Sequence, residues 1–454
     1  TYGIKSYIFE SLRPTPELSF AVRYLKCAGG IMITASHNPK EHNGYKVYDD
    51  TGCQLLPEAA DQVVQYVNEV EDELNIKVFS DEEAYPYMTW IGEEVDEAYY
   101  KEVMAIEVNP GMDKSDFKIV FSPQHGTSNI AVRTCLTRLG YDLVPVLAQC
   151  APDPDFSNTK SPNPEVPASY ELAIKKAKEV DADVVVITDP DGDRLGVVAK
   201  HNGEYVLMSG NQSAAVYLEY ILSQMKEKGT LPDNAVMYNT IVTSDLGELV
   251  ARSYGVDVEK TLTGFKFIGD KIRKYEQTHE KTFVFGYEES YGCVIKDFVR
   301  DKDAVQAVLT AAEAGNFYKK QGKDLVDVLN ELYAKHGTFK ETQIALSKAG
   351  AAGAARIKEI MDNLRKDTPQ DIGGVKVVKV EDYGNSTCSD GTTIQLPKSN
   401  VLKYYLEDGS WIAARPSGTE PKCKFYFSIK GSDADDAASK TEVFHKAMME
   451  IIGE

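Results

Sequence analysis

Apolar and polar positions along this chain follow two rhythms. Short β-branched runs at residues 30–34, 118–121, 183–188, 235–238 and 282–285 carry the strand pattern, and residues 7–9 read as one more strand. Between them lie stretches with the helical period. Across residues 212–228, Ala214, Leu218, Ile221 and Met225 share one face while Glu and Lys occupy the others, as in a helix packed on a sheet. Repeated strand-helix units predict mostly parallel or mixed sheets with helices on both faces. After Gly374 the rhythm changes. Residues 375–380, 401–407, 411–414 and 422–429 read as strands, Asp408-Gly409 as a hairpin turn, and a helix follows from about Asp433.

Breaks fall at Asn109-Pro110-Gly111, at Ser209-Gly210, and across the Ala/Gly/Lys-rich stretch 348–374. They divide the chain into expected domains 1–108, 109–209, 210–344 and 345–454. The fold class is α/β: three related mixed-sheet α/β domains plus a smaller C-terminal α+β domain. At 454 residues the chain is too long for one core, given roughly 150 residues per domain.

Composition narrows the function. Apolar content of 43% and charged content of 26% are those of a soluble globular protein, and no window nears the ~18 apolar residues of a membrane helix. A formal charge of −20 repels nucleic acid and anionic lipid, so a phosphate-bearing ligand must be held by local positive charge. The expected partner is a small molecule, with no nucleic acid and no membrane. Seven scattered cysteines without C-x-x-C spacing argue against disulfides or zinc and for a reducing cytoplasm. The chain begins at Thr1, without Met, just before a strand; the expectation is that further residues precede it.

Four loops carry chemistry. Thr34-Ala-Ser36-His37-Asn-Pro39 puts a serine on an abrupt turn after an apolar strand. A serine is nucleophilic only beside a base or metal, and most Ser-His pairs merely cap the next element. Neighbours on a strand point to opposite faces, so His37 is expected to bind ligand or cap the turn rather than serve Ser36 as base. Asp189, Asp191 and Asp193 follow a buried-strand run, with Pro190 and Gly192 bending the backbone so that the carboxylates converge. Three such charges call for a hard cation, magnesium by preference, unless the segment is a solvated acidic turn. It is not an EF-hand: the sixth position is Arg194 and the twelfth Lys200. Arg194 suits a phosphate. A strand followed by Asp-x-Asp is also the pattern of haloacid-dehalogenase-type phosphatases, in which Asp189 itself would be the nucleophile. Glu288, Glu289 and Ser290, between Gly286 and Gly292, offer acceptors for sugar hydroxyls. Arg415, Ser417, Gly418 and Thr419 compose a phosphate cradle.

With these loops in this order, the chain resembles the α-D-phosphohexomutase superfamily end to end, nearest to the bacterial phosphoglucomutases. The resemblance implies that Ser36 carries a phosphoryl group, that Asp189, Asp191 and Asp193 hold Mg²⁺, and that Arg194 belongs with them. It further implies that Glu288 and Ser290 bind sugar hydroxyls and that Arg415, Ser417, Gly418 and Thr419 grip the substrate phosphate. Lys46 and Lys302 match family lysines, either of which serves as general base or acid if its pKa is depressed. Lys302 is preferred because it follows Arg300 in a charged loop close to the sugar binders. Thr263-Gly264-Phe265-Lys266 resembles the loop that distinguishes substrate orientations, and His125-Gly126 a second-domain loop without an argued role.

The resemblance implies four domains around a central cleft and a first domain that normally opens with further strand-helix units, absent before Thr1. It also implies interconversion of glucose 1-phosphate and glucose 6-phosphate through a phosphoserine and bound glucose 1,6-bisphosphate, the latter also an activator, in a monomer or homodimer. Mannose or pentose phosphate mutases of the same superfamily, and an Asp-nucleophile sugar phosphatase, are the alternatives. A non-enzymatic sugar-phosphate sensor has no use for both Ser36 and the aspartates.

Overall fold

The computed structural model describes residues 3–417 and 421–454. The chain forms two compact units: one takes in the chain up to Asn239 with Tyr254–Glu259 and Gly264–Val328, the other Thr240–Ser253, Lys260–Thr263 and Leu329–Glu454.

In the first unit, five strands stand in the order Asp142–Pro145, Lys118–Ser122, Val184–Thr188, Leu195–His201, Glu204–Met208. The first three are parallel, and the last two pair antiparallel. Val184–Thr188 is buried along its whole length, hence its unbroken apolar sequence. Val120, Val185, Ile187 and Val198 share a core with Ala173 and Ala177 of helix Glu171–Val180. Asp189 therefore opens a loop at the carboxyl end of a central strand, where ligand sites of open α/β sheets gather. A second sheet has the order Asp257–Thr261, Ala235–Thr240, Thr282–Tyr287, Cys293–Val294 and leads into the loop 288–292.

Near the start, Ser6–Phe9 pairs in parallel with Met88–Ile91, and Gly29–Ile33 antiparallel with Tyr45–Asp49. These are two separate ribbons rather than the single sheet expected for a repeated unit. Gly29–Ile33 leans instead on helix Thr15–Tyr24. A Cβ on Gly30 would lie 2.6 Å from Val22 Cγ2, so the helix approaches this closely only over a glycine.

The second unit is built on an antiparallel sheet of order Thr338–Ser347, Lys422–Gly431, Trp411–Pro416, Leu402–Leu406, Val375–Asp382, Asp371–Ile372, with Thr387–Cys388 added beside Val375–Asp382. Helices Gly350–Lys366 and Ala434–Ile452 cover one face through Ile357, Ile360, Met361, Leu364, Phe444 and Met448. Two expectations change here. The stretch 348–374, read as a break, contains helix Gly350–Lys366: its small residues leave the spacing of Ile357, Ile360, Met361 and Leu364 free to make one apolar stripe. The boundary between residues 344 and 345 falls inside Thr338–Ser347, which pairs over its full length with Lys422–Gly431. Among the described residues no helix is long and apolar enough to cross a membrane.

Candidate active site

Strand Gly29–Ile33 delivers the chain into the serine turn. Ser36 N donates to Thr34 Oγ1 at 2.7 Å, and Asn38 N to Ala35 O at 3.1 Å. Ser36 itself has φ 53°, a left-handed conformation uncommon outside glycine. This twist breaks the strand alternation on which the expectation for His37 rested. His37 Nδ1 lies 3.2 Å from Ser36 Oγ, on the same side. Burial and the Arg194 charge push the His37 pKa down to about 4, so the ring is neutral near pH 7.

Ser36 Oγ also lies 3.4 Å from Asp189 Oδ2, across 153 residues of sequence. One carboxylate oxygen from each of Asp189, Asp191 and Asp193 falls within 4.8 Å of the others, and all three side chains are buried. Asp189 Oδ1 accepts from the amides of Asp193 (3.0 Å) and Arg194 (2.9 Å), which aims the loop inward. Gly192, at φ 68°, makes that bend possible; a Cβ there would come within 2.9 Å of Pro14 Cβ. Asp191 Oδ1 and Asp193 Oδ1 are buried without a hydrogen-bond partner among the described residues. Buried anionic oxygens without hydrogen bonds are costly, and hard oxygen donors converging this way fit a small divalent cation.

Cations surround the trio. Lys46 Nζ lies 2.9 Å from both Asp191 and Asp193, and Lys302 Nζ lies 3.1 Å from Asp193 and 3.5 Å from Asp301. Arg194 Nη1 pairs with Glu165 at 2.8 Å. Burial opposes the charge on Asp193, yet Lys302, Lys46 and Arg194 together hold its pKa far below the carboxylate range. Burial and the charges of Asp193 and Asp191 push Asp189 well above it.

These charges bear on the expectation that one of the two lysines is the general base or acid. Burial works against the Lys46 and Lys302 ammonium groups, but Asp191 and Asp193 around Lys46, and Asp193 and Asp301 around Lys302, outweigh it and raise both pKa values. A base near neutrality needs the opposite shift, whereas a protonated lysine is suited to donate a proton. Sequence spacing located both lysines; their charge state depended on partners far away in the chain.

The acidic loop sits beside this cluster. Glu288 is buried, and its Oε1 accepts from Gly264 N at 2.8 Å, so a residue of the expected sugar loop orders the orientation loop. Ser290 is half-buried. Leu195 N donates to Tyr291 O at 2.9 Å, tying this loop to the aspartate loop. Lys302 crosses over Gly292 on its way to Asp193: a Cβ on Gly292 would lie 1.9 Å from Lys302 Cδ.

In the second unit, Thr263 Oγ1 is buried without a partner among the described residues, and Arg415 Nη1 lies 3.4 Å from Tyr426 Oη. Ser417 N donates to Lys422 O at 2.7 Å, closing the hairpin. Gly418 and Thr419 lie outside the described residues.

Sequence reasoning missed the supports of the aspartate loop. Thr15 Oγ1 donates to Asp191 Oδ2 at 3.1 Å, and Thr127 donates to Pro190 O through N at 2.8 Å and Oγ1 at 3.0 Å. A Cβ on Gly126 would meet Pro190 Cα at 2.5 Å, so the loop after strand Lys118–Ser122 presses backbone to backbone against Pro190. This gives His125-Gly126 a bracing role. The resemblance marks this loop without giving it a role, and nothing in the local pattern shows its contact with Pro190. A cavity of about 610 Å³ adjoins Ser36 and Asp191, lined also by Arg13, Lys40, His42 and His125.

Four family models match in chain order: phosphoglucomutase/phosphomannomutase alpha/beta/alpha domain I over residues 1–74, domain II over 97–203, domain III over 209–336, and the C-terminal domain over 351–446. The chain belongs to the phosphoglucomutase/phosphomannomutase family. A phosphoglucomutase of Staphylococcus epidermidis is 39% identical over 448 residues, 97% of this chain and 80% of the relative. Among solved structures, the Paramecium phosphoglucomutase parafusin in its open form shares the fold at TM-score 0.71 and 18% identity, covering 99% of this chain and 84% of that one. An Aspergillus fumigatus N-acetylphosphoglucosamine mutase, solved with GlcNAc-6P and magnesium, follows at TM-score 0.55 and 14% identity, covering 97% and 92%. The resemblance read from the loops is thus the family the comparisons give, and the chain is an isomerase of the phosphosugar mutase class.

Proposed function

We propose that this isomerase interconverts glucose 1-phosphate and glucose 6-phosphate, with Ser36 carrying the phosphoryl group between them. The observation that carries the reading is the 3.4 Å approach of Ser36 Oγ to Asp189 within the buried aspartate trio. The identity of 39% with a phosphoglucomutase across almost the whole chain favours glucose over mannose or a pentose.

Each residue then has a task. Asp189, Asp191 and Asp193 suit magnesium, which when bound supplies positive charge against the transferring phosphoryl oxygens. Lys46 and Lys302, which reach into the same cluster, supply positive charge or a proton at that place. As the phosphoryl group passes, the bond from phosphorus to Ser36 Oγ breaks, a bond to a sugar hydroxyl oxygen forms, and the hydroxyl proton ends on Ser36 Oγ. His37 Nδ1 holds that hydroxyl in place afterwards. Glu288 and Ser290 accept from sugar hydroxyls, with Thr263 and Gly264 helping to set orientation, while Arg415 and Ser417 hold the phosphate that is not moving. The resulting glucose 1,6-bisphosphate turns end for end and returns its other phosphoryl group to Ser36, so the site must accept the sugar both ways round.

No observation favours the Asp-nucleophile phosphatase. Asp189 Oδ1 is occupied by two amides and Oδ2 faces Ser36. The test is the mass of the peptide holding Ser36 after exposure to glucose 1,6-bisphosphate and magnesium. A gain of one phosphoryl group there, lost with turnover in Ser36→Ala, is expected. Acid-stable label absent from Ser36, or near-normal turnover in Ser36→Ala, refutes the proposal.

A further inference from the structure

Strands of the C-terminal sheet alternate their side chains between two faces. Ile412, Ala414, Phe425 and Phe427 belong to the helix-covered core. Trp411, Ala413 and Arg415 therefore share the other face, where they pair across the sheet with Ser428, Tyr426 and Lys424. Lys403 stands directly beside Ala413, Tyr405 beside Trp411, and Glu341 beside Ser428. Arg415 and Lys403 thus sit on one face, separated by about 7 Å along the strand.

That face grips a piece of chain from far away in sequence. Lys403 is fully buried; its Nζ donates to Ile241 O at 2.8 Å and lies 3.9 Å from the Trp411 ring centre and 4.8 Å from that of Tyr405. Trp411 Nε1 donates to Asp245 at 3.1 Å, and Asp245 pairs with Lys260 at 3.0 Å. Ser244 hydrogen-bonds Glu341. Ile241 N in turn donates to Thr261 O at 2.9 Å. The peptide at Ile241 therefore links Lys403 on one side to Thr261 on the other, two residues before Thr263. This explains why Thr240–Ser253 and Lys260–Thr263, which lie inside the span of the third family domain, are packed with Leu329–Glu454.

A lysine is an odd choice for this position. Burial and the neighbouring Lys260 charge push its pKa down to about 7, so it weakens the fold relative to an apolar residue of the same length. Methionine fills the same cage between the two rings but cannot donate to Ile241. What lysine adds is the tether.

We infer that Lys403 is a positioning residue for substrate selection, fastening the loop that ends at Thr263 to the sheet face that presents Arg415, so that sugar orientation and phosphate grip are set by one body. This rests on the roles given above to Thr263 and Arg415. The loop's geometry toward a sugar follows the sheet, and discrimination between hexose phosphates depends on a residue that touches no substrate.

The test uses Lys403→Met in the full chain, with Trp411→Phe as a second variant that keeps a ring but loses the donor to Asp245. Amide exchange read by mass spectrometry should quicken roughly tenfold in peptides covering 240–245 and 260–263, the loss of one buried hydrogen bond. In Lys403→Met, KM for glucose 1-phosphate should rise by a similar factor with kcat within about twofold, and the preference for glucose over mannose 1-phosphate should narrow. Trp411→Phe should shift the same peptides and the same constant less. Unchanged exchange, or a fall in kcat at constant KM, overturns the inference. If the wild type itself neither takes a phosphoryl group at Ser36 nor turns over glucose 1-phosphate, the proposed function has failed instead; the exchange data then still decide whether Lys403 holds the loop.

Discussion

Gly292→Ala provides a sharp test of how the site is assembled. The added methyl would lie 1.9 Å from Lys302 Cδ, 2.7 Å from Cγ and 3.1 Å from Cε, so its three nearest atoms all belong to that side chain. Lys302 must therefore leave, and its 3.1 Å pairing with Asp193 goes with it. At an effective dielectric of about 20, that pairing has a Coulomb energy of about 5 kcal/mol. Asp193 keeps Lys46 at 2.9 Å, and the departing ammonium regains hydration, so the net destabilisation should be about 3 kcal/mol, within the range for broken buried pairs. Calorimetry should show the first unit's transition falling by roughly 2–4 °C per kcal/mol. Turnover should drop about a hundredfold, as for loss of one preorganised charge. A double-mutant cycle makes the argument strict. In a Lys302→Ala background the three nearest atoms are gone, so Gly292→Ala should then cost less than about 1 kcal/mol, leaving a coupling of roughly 2 kcal/mol. Equal costs in both backgrounds, or wild-type turnover in Gly292→Ala, would show that Lys302 does not occupy this path.

Asp191→Asn removes one charged donor from the trio and should weaken the magnesium requirement, read by activity against free metal, roughly tenfold or more; an unchanged titration counts against the trio as ligands. Arg415→Ala should raise KM strongly while Ser36 still takes its phosphoryl group from glucose 1,6-bisphosphate, and the reverse pattern would reassign it. Burial raises the Asp303 pKa from its ordinary 3.8 to about 6, so between those values the folded chain binds more protons than the unfolded one and this group's contribution to stability falls as pH rises. That contribution amounts to about 3 kcal/mol. Asp303→Asn, which keeps the cap on helix Ala304–Lys319, should flatten the stability profile between pH 4 and 6, and a profile parallel to wild type would refute this.

The serine turn, the aspartate triplet, the acidic loop and the Arg415 segment were legible in the sequence because each is local. A strand followed by a bend exposes whatever residue comes next, and Asp189 and Ser36 both stand at such ends. Local pattern could not tell where those ends meet. The 3.4 Å between Ser36 and Asp189, the backing of Asp191 by Thr15, and the bracing of Pro190 by Gly126 all join residues distant in sequence.

Electrostatics were settled at the same level. The sequence supplied two lysines, but only packing put Lys46 and Lys302 against the aspartates. His37 followed the rule for strands until Ser36 turned to φ 53° and brought the ring to its own side. By itself, then, the sequence determined most element types, though not helix Gly350–Lys366, together with the order of the chemical loops and the family. Tertiary structure decided which strands joined, where Thr338–Ser347 belongs, and why residues 240–253 pack with the C-terminal sheet. The reason is one of range: backbone periodicity is written in neighbouring residues, whereas charge state and pairing depend on groups that meet only when the whole chain has closed on itself.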